Sequence, residues 1–124
     1  MVLDSSAILA YLYGEPGADA TAAVLGIASA SSVNLVEVRA KYRERHGRTD
    51  DVEELVETKL IAEIPFDGAQ SMEAGRLLSL HRKHNLSLAD CACLALTALS
   101  REPVMTTDKD WAKLGLSLDI RVIR

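Results

Sequence analysis

The chain has 124 residues, a length that suits one domain, and its 48% hydrophobic and 26% charged residues are the balance of a globular protein with a real core. Eighteen Asp plus Glu against fourteen Lys plus Arg leave a formal charge of −4, which argues against holding nucleic acid by bulk charge alone. No apolar run approaches the roughly 20 residues of a membrane span, and the opening residues enter a strand and carry no signal-peptide pattern, so a cytoplasmic protein with no membrane partner is expected.

Val2 and Leu3 read as a short buried strand that ends at Asp4, followed by Ser5 and Ser6 turning into a helix over 6–13. Gly14-Glu15-Pro16-Gly17 is a stop and turn. Ala22, Leu25 and Ala28 at helical spacing predict a second helix over 18–28, and residues 29–33 a second short strand. Asn34 at N-cap with Glu37 three residues on predicts a capped third helix that runs to His46 and stops at Gly47.

Thr49, Asp50 and Asp51 cap a fourth helix carrying Val52, Leu55, Val56 and Leu60, with acids in the turn that the helix dipole favours. Residues 61–65 form a third strand closed by Pro65. Asp67 caps a long helix to about residue 84, with Met72, Leu77, Leu78 and Leu80 on a broad apolar side. Ser87 caps a sixth helix to about residue 101. Strand 104–106, a short helix over 108–114 and a last strand over 120–123 complete the chain. Cys91 and Cys93 at i, i+2 on the sixth helix point to different faces and cannot readily pair; they are expected to be small packing residues in a reducing setting.

Strands and helices alternate throughout, so the fold class is α/β: one domain over 1–124, with a mainly parallel sheet of four to five short strands flanked by helices. In such a fold a helix runs antiparallel to the strand that follows it. The start of a helix therefore lies at the sheet edge where the next strand finishes. This rule gathers Asp4, Glu37, Asp90 and Asp108 on the edge where α/β sheets bind their ligands.

Like charges in one cleft repel, and one carboxylate raises the pKa of another. A hard divalent ion with oxygen ligands, Mg²⁺ or Mn²⁺, relieves this and can activate water against a phosphodiester. Each acid also has a plainer reading. Glu37 and Asp90 sit at capping-box spacing, Asp108 can cap the short helix, and Asp4 can cap the first. Capping leaves the convergence of all four unexplained. His46, His81 and His84 fall on the opposite side by the same rule, which leaves no histidine placed as a base.

Four stretches in order carry a resemblance: Val2-Leu3-Asp4-Ser5-Ser6-Ala7-Ile8, then Ser32-Val33-Asn34-Leu35-Val36-Glu37, then residues 86–96 around Ser87-Leu88-Ala89-Asp90, then Thr106-Thr107-Asp108-Lys109-Asp110-Trp111. The chain resembles PIN-domain ribonucleases, most closely the VapC-type toxins of toxin–antitoxin systems. The resemblance implies a PIN-like domain and a metal-dependent endoribonuclease. Asp4, Glu37, Asp90 and Asp108 would hold Mg²⁺ or Mn²⁺, Asp4 and Asp90 most directly. It implies that the hydroxyls of Ser5, Ser6 and Thr107 support the metal ligands or touch phosphate, and it leaves Asp110 outside the site.

Arg39, Lys41, Arg43, Arg45 and Arg48 form a basic cluster. It is either a solvated helix face or an RNA track, with Arg39 nearest Glu37 and with Arg43 and Arg45 beyond. The resemblance also implies a homodimer and a cognate antitoxin, received in a partly exposed groove at Tyr11, Leu12 and Tyr13. Two alternatives stay open. One is a catalytically silent PIN-like scaffold. The other is a receiver-like phosphoacceptor, which fits poorly because Ser5 rather than an acid follows Asp4.

Overall fold

A computed structural model describes residues 1–124. Five parallel strands lie in the order β3-β2-β1-β4-β5: β1 is Val2–Leu3, β2 Ala28–Ser31, β3 Ile61–Ile64, β4 Val104–Thr106 and β5 Ile120–Val122. Val2 stands opposite Ser29 on one side and Val104 on the other. The chain leaves β1 toward β2 and β3, then returns to add β4 and β5 on the far side. β1 is therefore the topological switch, and the crevice of a doubly wound sheet opens at its carboxyl end.

Six α-helices pack around this sheet: α1 Ser5–Tyr13, α2 Ala18–Ala22, α3 Ser32–His46, α4 Asp50–Glu57, α5 Gly68–Leu80 and α6 Leu88–Ser100. Two 3₁₀ turns, Arg82–His84 and Lys109–Lys113, complete the fold. Successive strand residues face opposite ways, so Leu3 joins one core with Ile8, Leu35 and Val38, while Val2 joins the other with Leu77, Leu94, Val104 and Trp111. Both residues of β1 are wholly buried. Burial of α6 is nearly complete from Cys91 to Thr97. Both cysteines are accordingly free and buried, and both join the core that holds Val2; burial pushes both thiols up.

Several predicted elements differ: the second strand is Ala28–Ser31 instead of 29–33, and the fourth helix ends at Glu57, short of Leu60. The second helix stops at Ala22 instead of 28, and Gly26 takes a left-handed φ of 97° while its N–H bonds the Leu60 carbonyl at 2.8 Å. That bond pulls the chain into the sheet, so β2 begins at Ala28. The third helix begins at Ser32, capped by Ser31, whose Oγ accepts from the Val33 N–H at 3.2 Å. Asn34 is not its cap; it lies inside the helix and is buried. The long helix ends at Leu80, and its apolar side is narrower than expected: Ala74 and Leu77 are buried with Gln70, but Met72 is 81% and Leu80 60% exposed.

Candidate functional site

Asp4 sits directly after β1 in the switch crevice and is 6% exposed. It occupies the N-cap position of α1 but makes no side-chain cap bond. Its Oδ2 accepts hydrogen bonds from Ser6 Oγ at 2.6 Å and from Thr106 Oγ1 at 3.0 Å. Those two hydroxyls accept in turn from the Thr107 and Asp108 N–H groups, at 3.0 and 3.1 Å. One oxygen of Asp4 is thus tied to the end of β4, and neither hydroxyl reaches Oδ1. Burial pushes the Asp4 carboxyl up to about 6, the two hydroxyls hold it down, and the Asp90 carboxylate adds to the rise.

Asp90 lies in the first turn of α6 and closes a capping box. Ser87 Oγ accepts from its N–H at 3.0 Å, and its Oδ2 accepts from the Ser87 N–H at 2.9 Å. Burial raises its pKa, the bonds to Ser87 lower it, and the carboxylates of Asp108 and Glu37 raise it further. Capping and a place in the cleft therefore coexist: the cap fixes one oxygen while the charge of Asp90 is felt by Asp4. Asp108 behaves likewise, its Oδ1 accepting from the Asp110 N–H at 2.9 Å at the start of the 3₁₀ turn. Glu37 stands in the second turn of α3, because the helix begins earlier than expected, and it makes no capping bond.

All four carboxylates line one open cleft of about 410 Å³, together with Ser6 and Thr107. None of the four takes part in an ion pair. No three of the Asp, Glu, His and Cys groups close up into a metal cage; the acids face one another around an open space. The donor set is all oxygen, with no thiol or imidazole lining this cleft, and that chemistry suits a hard cation.

Ser5 faces elsewhere. It is buried, donates to the Asn34 carbonyl at 3.2 Å and accepts from Asn34 Nδ2 at 3.1 Å. Thr106 was absent from the sequence candidates although its hydroxyl bonds Asp4 directly. Its signal was a hydroxyl residue at the end of the strand beside β1. The expected placement of His84 is corrected by the structure. α5 packs against α6 and brings the chain back to the acidic edge, so His84 lines a side pocket of about 240 Å³ with Asp90, Asp108, Asp110 and Trp111. His46 packs on the Tyr42 ring, with centroids 4.4 Å apart.

The basic cluster divides between two stripes of α3, as i, i+4 spacing requires. Arg39, expected nearest the site, is held by Glu53 at 2.9 Å and Glu63 at 3.2 Å, and it lowers the pKa of both acids. Arg43 is one turn further along this stripe and adds to the field on Glu53. The other stripe starts at Glu37 and continues through Lys41, which lines the cleft, to Arg45, whose guanidinium lies 4.0 Å from the Tyr13 ring centre. Arg39→Ala should therefore cost about 1 kcal/mol of stability, as half-exposed ion pairs do, and leave RNA binding within about twofold. Urea unfolding and an RNA titration check this; a drop in RNA affinity with unchanged stability would overturn it.

The apolar stretch at the end of α1 divides as well. Tyr11 and Leu12 line a second cleft of about 430 Å³ with Leu55, Leu60, Asp51 and Glu54. Tyr13 instead lines the acidic cleft and stacks on Tyr42.

A parallel sheet with an acid cluster at its switch point defines an α/β domain built around an anionic centre. The PIN domain family matches residues 1–116, and the chain belongs to that family. No curated protein matches it in sequence. Solved structures share its fold. A toxin–antitoxin complex from Klebsiella pneumoniae is 18% identical with a TM-score of 0.77, covering 99% of this chain and 97% of that one. The sarcin–ricin loop cleaving toxin VapC20 of Mycobacterium tuberculosis is 17% identical with a TM-score of 0.78, covering 97% and 98%. FitAcB from Neisseria gonorrhoeae is 17% identical with a TM-score of 0.72, covering 96% and 94%.

Proposed function

We propose that the chain is a metal-dependent endoribonuclease, the toxin of a toxin–antitoxin pair. The observation that carries this is the arrival of four unpaired carboxylates, from four separate segments, in one cleft at the switch point. Membership of the PIN family supports the reading, as does the fold shared with a loop-cleaving toxin and a toxin–antitoxin complex.

Asp4 and Asp90 would hold Mg²⁺ or Mn²⁺ most directly, with Glu37 and Asp108 completing the site. When bound, such an ion supplies a water of lowered pKa and relief of charge on the phosphodiester oxygens. The protein's own part is positioning. Ser6 and Thr106 clamp Oδ2 of Asp4 and leave Oδ1 for the cleft. The Ser87 N–H fixes Asp90, and the Asp110 N–H fixes Asp108. These bonds hold the acids in place before substrate arrives, which limits reorganisation during reaction. The Thr107 hydroxyl at the cleft wall can donate to a phosphate oxygen, and Lys41 can offset backbone charge.

The Tyr11–Leu12 cleft is the proposed seat of an antitoxin segment, with Asp51 and Glu54 favouring a basic residue beside an apolar one. A homodimer belongs to the same proposal; Met72, Leu80, Leu88 and Leu99 leave large apolar side chains exposed. No helix is long and apolar enough to cross a membrane. The test is cleavage of a structured RNA with EDTA, then with Mg²⁺ or Mn²⁺ restored. Cleavage should be lost and regained; undiminished cleavage in EDTA would refute the metal scheme.

A further inference from the structure

The acidic cleft is not acidic on every side. Lys41 and Arg124 line it together with the carboxylates, and so do Tyr13 and Glu15. Lys41 lies one turn beyond Glu37 on α3 and forms no ion pair of its own. Arg124 comes from a different part of the chain. Its Nε donates to the Pro16 carbonyl at 3.0 Å, and its guanidinium lies 3.5 Å from Glu15 Oε1.

Arg124 is brought there by close packing. Gly17 has φ of 102°, and a Cβ there would meet the Ile123 carbonyl oxygen at 3.0 Å and the Ile123 side chain at 3.1 Å. The turn after α1 and the segment after β5 touch because residue 17 has no side chain. The opposite side of the cleft has a different character: there Asp90 and Asp108 continue into the side pocket with Asp110. The cleft therefore has a cationic rim between α1 and α3 and an anionic wall toward Trp111.

We infer that Lys41 and Arg124 form a phosphate clamp across this rim, which holds the RNA backbone beside the phosphodiester at the carboxylates. The inference rests on the ribonuclease reading and adds to it the side from which the strand enters. The Arg124–Glu15 pair is 37% and 45% exposed, and pairs of that kind contribute little. Glu15 is thus an exchangeable partner. A phosphate presents the same geometry to the guanidinium fork and carries full charge. Lys41 supplies a point charge from α3. Arg45, held against the Tyr13 ring, extends the rim outward along α3.

The test uses a short labelled single-stranded RNA and fluorescence anisotropy, with the full chain carrying Asp90→Asn so that no RNA is cut. Arg124→Ala should weaken binding about 5- to 10-fold at physiological salt and reduce the salt slope by about 0.7, one phosphate contact on a single strand. Lys41→Ala should do the same. Arg124→Lys should keep the slope and lose part of the affinity. Glu15→Gln should tighten binding by about twofold, since it releases Arg124 and removes a repelling charge. If the parent binds RNA and the Arg124 and Lys41 variants match it in affinity and slope, the clamp is wrong and the ribonuclease reading stands. If the parent fails to bind RNA at low salt and the wild type cuts none, the ribonuclease reading fails and takes the clamp with it.

Discussion

Asp4→Asn is expected to lower RNA cleavage by at least about 100-fold, some 3 kcal/mol of transition-state stabilisation, while making the metal-free protein more stable at neutral pH. The two effects share one cause. Asp4 is buried beside Asp90, and its carboxyl is pushed up from 3.8 to about 6. The folded chain therefore holds the proton more tightly than the unfolded chain does.

The sign follows from linkage. Where the folded state binds more protons, stability falls as pH rises. Below the unfolded value both states are protonated and no stability is lost. As pH rises toward 6 the folded state must accept a buried charge, at a cost of about 3 kcal/mol for a shift of this size. Asparagine can still accept from Ser6 and Thr106 but never charges. In EDTA, the variant should exceed wild type by about 1–3 kcal/mol at pH 8 and lose that advantage near pH 4. Urea unfolding at the two pH values measures it. A variant that cleaves normally, or one less stable than wild type at pH 8, would refute the account of Asp4 as a strained ligand.

The second large effect is expected at Asn34. Its Nδ2 donates to Ser5 Oγ at 3.1 Å and to the Ala89 carbonyl at 3.2 Å, and its own carbonyl accepts from Ser5 at 3.2 Å. Ser5 follows Asp4 and Ala89 precedes Asp90, so one buried amide ties the two main acids to the helix that carries Glu37. Asn34→Ala takes the side-chain donor away from the Ala89 carbonyl and from Ser5 Oγ and opens a small void. The combined cost should be about 2–4 kcal/mol, softened because Oδ1 of Asn34 already lacks a partner. Cleavage should fall about 10-fold even where the variant is fully folded, because the acids lose their common brace. A cost below about 1 kcal/mol, or full activity in the folded variant, would show that the brace is dispensable.

Most of this site was legible in the sequence because the rule that gathers the acids depends only on element order. Asp4, Glu37, Asp90 and Asp108 reach one cleft whether or not each helix boundary is right. What failed were details that depend on local competition. Asn34 and Glu37 have capping-box spacing, but the pairing of β2 with β3 ends at Ser31 opposite Ile64, and Ser31 becomes the cap. That moves Asn34 one turn inward, where its amide serves the tertiary structure. Arg39 and Lys41 are indistinguishable by composition, yet two positions on a helix turn them to different sides, one to Glu53 and Glu63 and the other to the cleft. Tyr13 parts from Tyr11 for the same reason. His84 escaped the antiparallel rule because α5 leads into α6 instead of into a strand, so the rule does not fix the edge at which it ends. Arg124 had no local signal, since a contact across 108 positions with Pro16 exists only in the folded chain.

The two-residue strand β1 gives Val2 to one core and Leu3 to the other. Asp4 is thus set in place only when both halves of the molecule have closed on the same short segment. A chain that has built one half alone, whether during synthesis or after partial opening, would leave this carboxylate solvated and free to wander. On the ribonuclease reading proposed above, hydrolytic competence then follows the closure of both cores.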